Sequence, residues 1–404
     1  MIERWLENDV LSALRVRRGL HLTGARQCGK TTLTQMLDLP FAKRLTLDNA
    51  GALAAALRDP VTFVDREDGK TLVIDEVQKA PGILDAIKER LDEDVSKGQY
   101  LLTGSSNLRF NKSVRDSLAG RLATIRLRTL TLAEVSGHQP SFLPKAFGGS
   151  FNQQGVLTKR DVIHQAFVGG YPEQLEFTTK ERNRWVRDYI NDLLMKDVRD
   201  VTEIRKTEVL KDVALWVFAH TAQMFTLEEI CTRASISKQT AESYLEVLRA
   251  LYIVDKIPAW SKSDYDRLGK RAKWVVSDTG IVPALLRWTE DAAFQDDKMN
   301  GKLVESWVYH ELVSQADVLG DCEITHYRDK DKREIDFIIE NGEGRLLGVE
   351  VKAGAHVCDA DFKHLRWFAR NLAKGPFVGV VLYAGKDLFS MGDNLYAVPI
   401  GYMG

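Results

Sequence analysis

Cysteine is scarce in this chain. The 404 residues hold four, at positions 28, 231, 322 and 358. That is too scattered for a zinc site and reads as reduced thiols in a cytosol. The eight histidines show no ligand spacing, so no zinc is expected. Long apolar runs are also missing. Stretches such as residues 378–383 fall far short of the ~20 residues that span a bilayer. The start, Met1-Ile-Glu-Arg-Trp5-Leu-Glu7, is acidic and amphipathic, unlike a signal peptide. Nor is there an excess of one charge: 56 Lys and Arg face 57 Asp and Glu, a formal net charge of -1. Any contact with nucleic acid must therefore come from local patches. No repeat or low-complexity tract is present. These absences exclude a disulfide scaffold, a membrane span and a blanket polycation. They leave a cytoplasmic, globular protein of two to three domains at ~150 residues each.

What is present divides by pattern into an α/β chain of three parts. Residues 1–136 alternate short β-rich runs (19–23, 44–48, 71–75, 99–104 and 123–130) with helical stretches, which favours a parallel sheet. Residues 137–155 are rich in Gly and Pro and read as a linker or surface loop. Residues 156–290 are mostly helical. Within them, over about 205–275, a helix ends near Ala234 and Ser237 caps a second. That second helix carries Tyr244, Leu245, Leu248 and Leu251 on one face, and a β-like run at 253–259 follows. This is the pattern of a winged helix. Residues 291–404 open with a helix (302–315) and continue with strands at 324–327, 335–339, 346–352 and 379–384. A helix at about 359–372 sits between the last two strands, giving a second, smaller α/β unit.

Gly24, Ala25, Arg26, Gln27, Cys28, Gly29, Lys30 and Thr31 fit G-x-x-x-x-G-K-[ST] between an apolar strand and a helix. Glycines let the backbone curl so that N–H groups, Thr32 included, point at phosphate, and the helix dipole adds to them. Lys30 would reach the β- and γ-phosphates of ATP, and Thr31 would hold Mg2+. Cys28 is either a site of oxidation or a small tolerated residue. Leu72-Val-Ile-Asp75-Glu76 is an apolar strand ending in two acids. Asp75 would hold Mg2+, and Glu76 would polarise the attacking water. Ser105, Ser106 and Asn107 end the next strand and either sense the γ-phosphate or form an ordinary turn. Arg121 is a candidate arginine finger for its own or a neighbouring subunit, with Arg109 and Arg115 as rivals and a plain surface arginine as the alternative.

The order GARQCGKTT, LVIDEVQ, LLTGSSN, LAGRL and LTLAEV resembles the prokaryotic AAA-type ATPases with a C-terminal DUF4143 region. Gly169-Gly-Tyr-Pro-Glu173, Ser277-Asp278-Thr-Gly280, Gly301-Lys-Leu-Val-Glu305, Glu334-Ile-Asp336 and Glu350-Val-Lys352 look like landmarks of that region. The resemblance implies an AAA-type core, a winged-helix middle and a nuclease-like end.

Asp336 and Glu350-Val-Lys352 resemble the PD-(D/E)xK nucleases, with Ile335 standing where the proline of that pattern would be. Residues two apart on a strand point the same way, so Glu350 and Lys352 project together. Asp336 on a neighbouring strand can join them, and Glu305 on the preceding helix can add a carboxylate. Such a set would hold Mg2+ or Mn2+ and activate water, with Lys352 orienting it. The alternative is an exposed strand with one Glu–Lys pair. For nucleic acid, DNA foremost, the candidate contacts are Lys238, Gln239 and Thr240 at the recognition-helix start. A basic stretch follows (Lys256, Lys262, Arg267, Lys270, Arg271, Lys273), interleaved with Trp260, Tyr265 and Trp274. A protein–protein module is the alternative there. The charged helix over 182–199 reads as solvated or subunit-facing.

Overall fold

The computed structural model describes residues 2–39, 43–67, 69–105, 120–151, 157–198, 207–262 and 269–404. Ser106, Asn107, Arg109, Arg115, Arg199, Tyr265 and Arg267 lie outside them.

The front of the chain forms a five-stranded parallel sheet: β1 (Gly19–Thr23), β2 (Lys43–Thr46), β3 (Leu72–Asp75), β4 (Tyr100–Gly104) and β5 (Leu122–Arg126). The strand order is β2-β3-β4-β1-β5, that of an AAA-type P-loop core. Leu20, Leu22, Ile74, Leu101 and Leu102 are fully buried, as parallel strands covered on both faces require. β5 ends at Arg126 rather than 130. Beyond it the chain leaves the sheet, and Leu130 N–H turns to the carbonyl of Gly170 at 2.8 Å.

The stretch 137–155 is not a simple linker. Its helix Phe142–Phe147 buries Phe142, Leu143 and Ala146. Leu143 N–H donates to Gln315 Oε1 at 3.0 Å. Three apolar residues on one helical face outweigh the Gly/Pro content around them.

The middle contains the helices Thr207–Ala219, Leu227–Ala234 and Lys238–Ala250. With them runs a three-stranded sheet of β6 (Gln223–Met224), β7 (Val254–Ile257) and β8 (Lys273–Val276), in the order β6-β8-β7. That succession has the order of helices and strands expected of a winged helix. Ser237 caps its second helix by accepting from Thr240 N–H at 3.1 Å. The charged helix Thr179–Asp192 is not wholly solvated, since Arg182, Val186, Tyr189 and Ile190 are buried.

The rear sheet runs β13-β14-β12-β11-β10-β9. Its strands are β9 (Glu323–Arg328), β10 (Glu334–Glu340), β11 (Leu346–Lys352), β12 (Phe377–Tyr383), β13 (Phe389–Ser390) and β14 (Leu395–Pro399). The helix Lys363–Asn371 packs beside it. β9, β10 and β11 pair antiparallel, while β11, β12 and β14 are parallel.

One helix, Asp297–Leu319, runs through the middle of the molecule for roughly 35 Å. Asp296 caps its start and Gly320, at φ 74°, ends it. Its polar side chains serve neighbours on every side. Lys302 reaches Ala219 O at 3.0 Å, Ser306 meets Thr221 at 2.8 Å, and Glu311 accepts from Leu132 N–H at 2.8 Å. No helix among the described residues is long and apolar enough to cross a membrane.

Candidate functional site

The phosphate loop leaves β1 at Gly24 and enters the helix Lys30–Met36 at Gly29. Gly24 has φ 149°, and a Cβ there would stand 2.1 Å from the carbonyl oxygen of Leu127. No other residue fits that turn. Gln27 and Gly29 also take positive φ, 63° and 100°, so the backbone curls around a point in front of the helix. Lys30 is buried, its ammonium donating to the carbonyls of Gly24 at 3.0 Å and Ala25 at 2.8 Å. Thr31 and Thr32 are exposed at the helix start. Cys28 is fully buried beneath the loop, 3.4 Å from Leu127 O, which removes it from oxidants at the surface.

β3 delivers the acids. Thr31 Oγ1 donates to Asp75 Oδ2 at 2.7 Å. Asp75 Oδ1 accepts from Thr103 at the end of β4. Glu76 takes a left-handed conformation, φ 60°. Gln78 Nε2 holds the Glu76 carboxylate and donates to Ser105 Oγ at 3.0 Å. Ser105 Oγ lies 3.4 Å from the same carboxylate. Thr103 belongs to the polar end of β4 that the sequence offered for the γ-phosphate; Gln78 was not singled out, although it stands beside the acid-tipped strand. A loop of N–H donors, an ammonium, and a hydroxyl beside a carboxylate fit a magnesium-bound nucleotide.

The structure does not bring Arg121 to this site. Gly19 pairs with Leu122 and Thr23 with Arg126, so Arg121 lies at the opposite end of the sheet, about 15 Å along the strand direction. There it donates to both carboxylate oxygens of Asp92, at 2.6 and 2.9 Å. The arginines at the loop's end of β5 are Arg126 and Arg128. Both bind Asp255 on β7, at 2.6 and 2.7 Å, and Arg128 also binds Asp317 at 2.6 Å. Burial pushes the Asp255 carboxyl up, but the two guanidiniums overcome this and leave it well below the usual range.

Other side chains hold the loop from behind. Arg4 donates to Cys28 O at 2.9 Å and to Glu134 at 3.0 Å. Tyr189 donates to Arg26 O at 2.9 Å. The landmark motifs also meet: Asp278 accepts from Gly170 N–H at 2.8 Å and Gly280 N–H at 3.0 Å. A Cβ on Gly169 would stand 2.2 Å from Asp278 Oδ1, and one on Gly170 2.0 Å from Leu130 O.

In the rear domain Glu305, Asp336, Glu350 and Lys352 converge, and a fifth residue joins them. Lys273, at the start of β8, is 1% exposed. Its ammonium sits 2.5 Å from Glu305 Oε1, 3.2 Å from Asp336 Oδ1 and 3.8 Å from Glu334 Oε1. Asp336 Oδ2 accepts from Val351 N–H at 2.9 Å, and Glu350 Oε1 from Lys352 at 2.9 Å. Burial works against the charge on Lys273, but the surrounding acids outweigh it and hold its pKa above the ordinary range. Burial and the neighbouring Asp336 push the Glu350 carboxyl up from its ordinary range. Among the described residues no cluster of three or more His, Cys, Asp or Glu is arranged to hold a metal ion. The Lys273 ammonium stands in the way of the expected Mg2+ or Mn2+ at Glu305, Asp336 and Glu350, holding one oxygen each of Glu305 and Asp336, while Glu350 Oε2 is buried without a hydrogen-bond partner. Lys352 is the partner of Glu350. Lys273 also leaves the basic stretch, its charge consumed internally. Trp260 and Trp274 are buried.

The basic residues that remain outside are better placed. Lys262, Lys270 and Arg271 line a cleft of about 1030 Å³ together with Arg328 at the end of β9 and Lys330 and Lys332 of the β9–β10 turn. The sequence signal for that second group was the run Arg328-Asp-Lys-Asp-Lys-Arg333. Lys238 and Gln239, also exposed, stand elsewhere, and Lys238 pairs with Glu228 at 3.2 Å.

Comparison with known proteins agrees with the front and the rear. Residues 16–136 match the AAA domain family, 159–292 a domain of unknown function (DUF8612), and 300–403 the domain of unknown function DUF4143. The landmark motifs of the middle segment thus fall under DUF8612 rather than DUF4143. Uncharacterized proteins of Mycobacterium tuberculosis and Mycobacterium bovis are each 25% identical over 396 residues, covering 96% of this chain and 82% of theirs. A RuvB T158V structure from Thermotoga maritima is 16% identical, covering 68% of this chain and 92% of that one, at a TM-score of 0.27. That likeness is too loose to support a mechanism.

Proposed function

We propose that this chain, which carries an AAA domain in front and a DUF4143 region behind, binds and hydrolyses Mg-ATP and uses the nucleotide to control how its rear half holds nucleic acid. The observation that carries the first part is the Thr31–Asp75 hydrogen bond of 2.7 Å, which ties the phosphate loop to the acid-tipped strand. In this reading the N–H groups of residues 24–32 and the Lys30 ammonium bind the phosphates. Thr31 and Asp75 hold Mg2+, whose charge offsets that of the triphosphate. Glu76, oriented by Gln78 and Ser105, takes the proton of the attacking water. Arg126 and Arg128 tie the last strand of the front sheet to Asp255 on β7, a direct mechanical route from nucleotide to winged helix.

The second part rests on the cleft lined by six lysines and arginines. Its cations come from two sides, the wing and the β9–β10 turn, as a backbone-tracking groove requires. This reading makes the rear half a binder and assigns it no cleavage.

The test has two arms. Mg-ATP turnover should vanish in Lys30→Ala, and wild-type turnover in that variant would remove the nucleotide assignment. DNA binding, followed by fluorescence anisotropy with and without ATP, should fall steeply with salt. It should weaken at least tenfold in Lys262→Glu/Lys330→Glu/Lys332→Glu. Unchanged binding in the triple variant would overturn the cleft. Active ATP turnover without any DNA affinity would favour a nucleotide-controlled switch for a protein partner.

A further inference from the structure

We infer that Lys273 is the resident cation of the rear acidic site, occupying with its side chain the place a divalent ion takes in a metal-dependent phosphodiesterase. Three carboxylates lie within 4 Å of its ammonium: Glu305 at 2.5 Å, Asp336 at 3.2 Å and Glu334 at 3.8 Å. The side chain is 1% exposed, so it does not exchange its partners for water. A magnesium ion needs carboxylate oxygens at about 2.0–2.1 Å in octahedral array. The ammonium already uses one oxygen each of Glu305 and Asp336. The backbone N–H of Val351 uses the second oxygen of Asp336, and Lys352 one of Glu350, whose other oxygen is buried without a hydrogen-bond partner.

The tether decides the competition. A free cation must reach the site from solution and shed its waters. The ammonium is delivered by β8, which is pinned between β6 and β7. Its charge is buried at the centre of the acids, where removing it would leave them unpaired, and such breakage is strongly unfavourable. The same contact fastens the winged helix to the rear domain, since Lys273 belongs to the first and its acids to the second. The cluster is therefore a latch between domains built on a nuclease-like frame. This inference is independent of the nucleotide site and of the basic cleft.

The test is Mn2+ binding to the full chain without nucleotide, read by electron paramagnetic resonance. The proteins are wild type, Asp336→Asn, Lys273→Met and Lys273→Met/Asp336→Asn, with folding checked by circular dichroism. Wild type and Asp336→Asn should bind the same number of Mn2+ ions. Lys273→Met should gain one ion per chain, lost again in the double variant. A wild-type site that disappears in Asp336→Asn would overturn the inference, as would a folded Lys273→Met that gains none. Should Lys273→Met fail to fold, the wild-type and Asp336→Asn counts decide alone: equal counts support the ammonium, and a lower count in Asp336→Asn refutes it.

Discussion

Tyr189 donates its hydroxyl hydrogen to the carbonyl oxygen of Arg26 at 2.9 Å. A helix of the middle segment thereby holds the phosphate loop of the front domain. The loop's shape depends on a residue more than 150 positions away in sequence. Tyr189→Phe keeps the packing but removes this bond, worth about 1 kcal/mol, together with the one Tyr171 donates to the same hydroxyl at 3.2 Å. ATP affinity should fall about fivefold with the fold intact, as read by equilibrium nucleotide titration. Unaltered affinity would mean the loop holds itself.

Glu76 and Asp75 should separate by role. Glu76→Gln keeps the size and the contacts to Gln78 and Ser105 but cannot accept a proton. Turnover should drop about 10²–10⁴-fold, with ATP binding near wild type. Asp75→Asn should weaken the magnesium dependence of binding as well. Equal effects of the two substitutions on binding would erase the distinction.

Arg121 should be dispensable for turnover. It stands at the far end of β5, engaged with Asp92. Arg121→Ala should leave steady-state hydrolysis within about twofold, since surface substitutions act weakly. A large loss that is rescued by mixing in a second, loop-defective variant would instead identify a finger acting between subunits.

Asp255 should be costly to remove. It is the shared anion of Arg126 and Arg128, both largely shielded from water. Asp255→Ala takes the carboxylate from Arg126 and leaves Arg128 with Asp317 alone; breaking comparable buried pairs costs about 3–5 kcal/mol. A lowered melting temperature should accompany loss of any nucleotide effect on the rear half. A melting curve matching wild type would show that water replaces the carboxylate without penalty.

Glu311 gives a pH dependence. It is fully buried, and burial pushes its carboxyl up to about 8, against the hydrogen bond from Leu132 N–H. The folded chain thus keeps a proton that the unfolded chain releases in the ordinary carboxylate range. The stability from this group is complete below about pH 4.5 and is lost as pH rises toward about 8. Glu311→Gln carries no such proton. Its melting temperature should gain on wild type between about pH 5 and pH 8. Parallel curves would show that Glu311 is charged in the folded state.

Much of the fold was legible because it rests on local rules. Gly19–Thr23 and Leu346–Lys352 announce themselves as apolar or alternating strands, and Ser237 as a cap. Thr31 and Asp75 were legible through motif chemistry. β14 was not legible: Leu395-Tyr-Ala-Val-Pro399 is short and proline-ended, and becomes a strand because β12 and β13 flank it. The helix Phe142–Phe147 was hidden by its neighbours Gly148 and Gly149. Lys273 was misread because charge in sequence gives no direction: beside Lys270 and Arg271 it looks like surface, yet in β8 it faces inward. The contact of Lys273 with Asp336 was invisible for the same reason, since the two residues come from different regions of the chain.

The helix Asp297–Leu319 gives the molecule its indivisibility. Leu132 and Leu143 bring the front of the chain to its Glu311 and Gln315, while Ala219 and Thr221 bring the middle to its Lys302 and Ser306. Each of these groups would lose its partner if the chain were divided before residue 297. Three regions that look separable by sequence are thus bound to be inherited together. Separating the chain before residue 297 breaks hydrogen bonds of the front and of the middle at once.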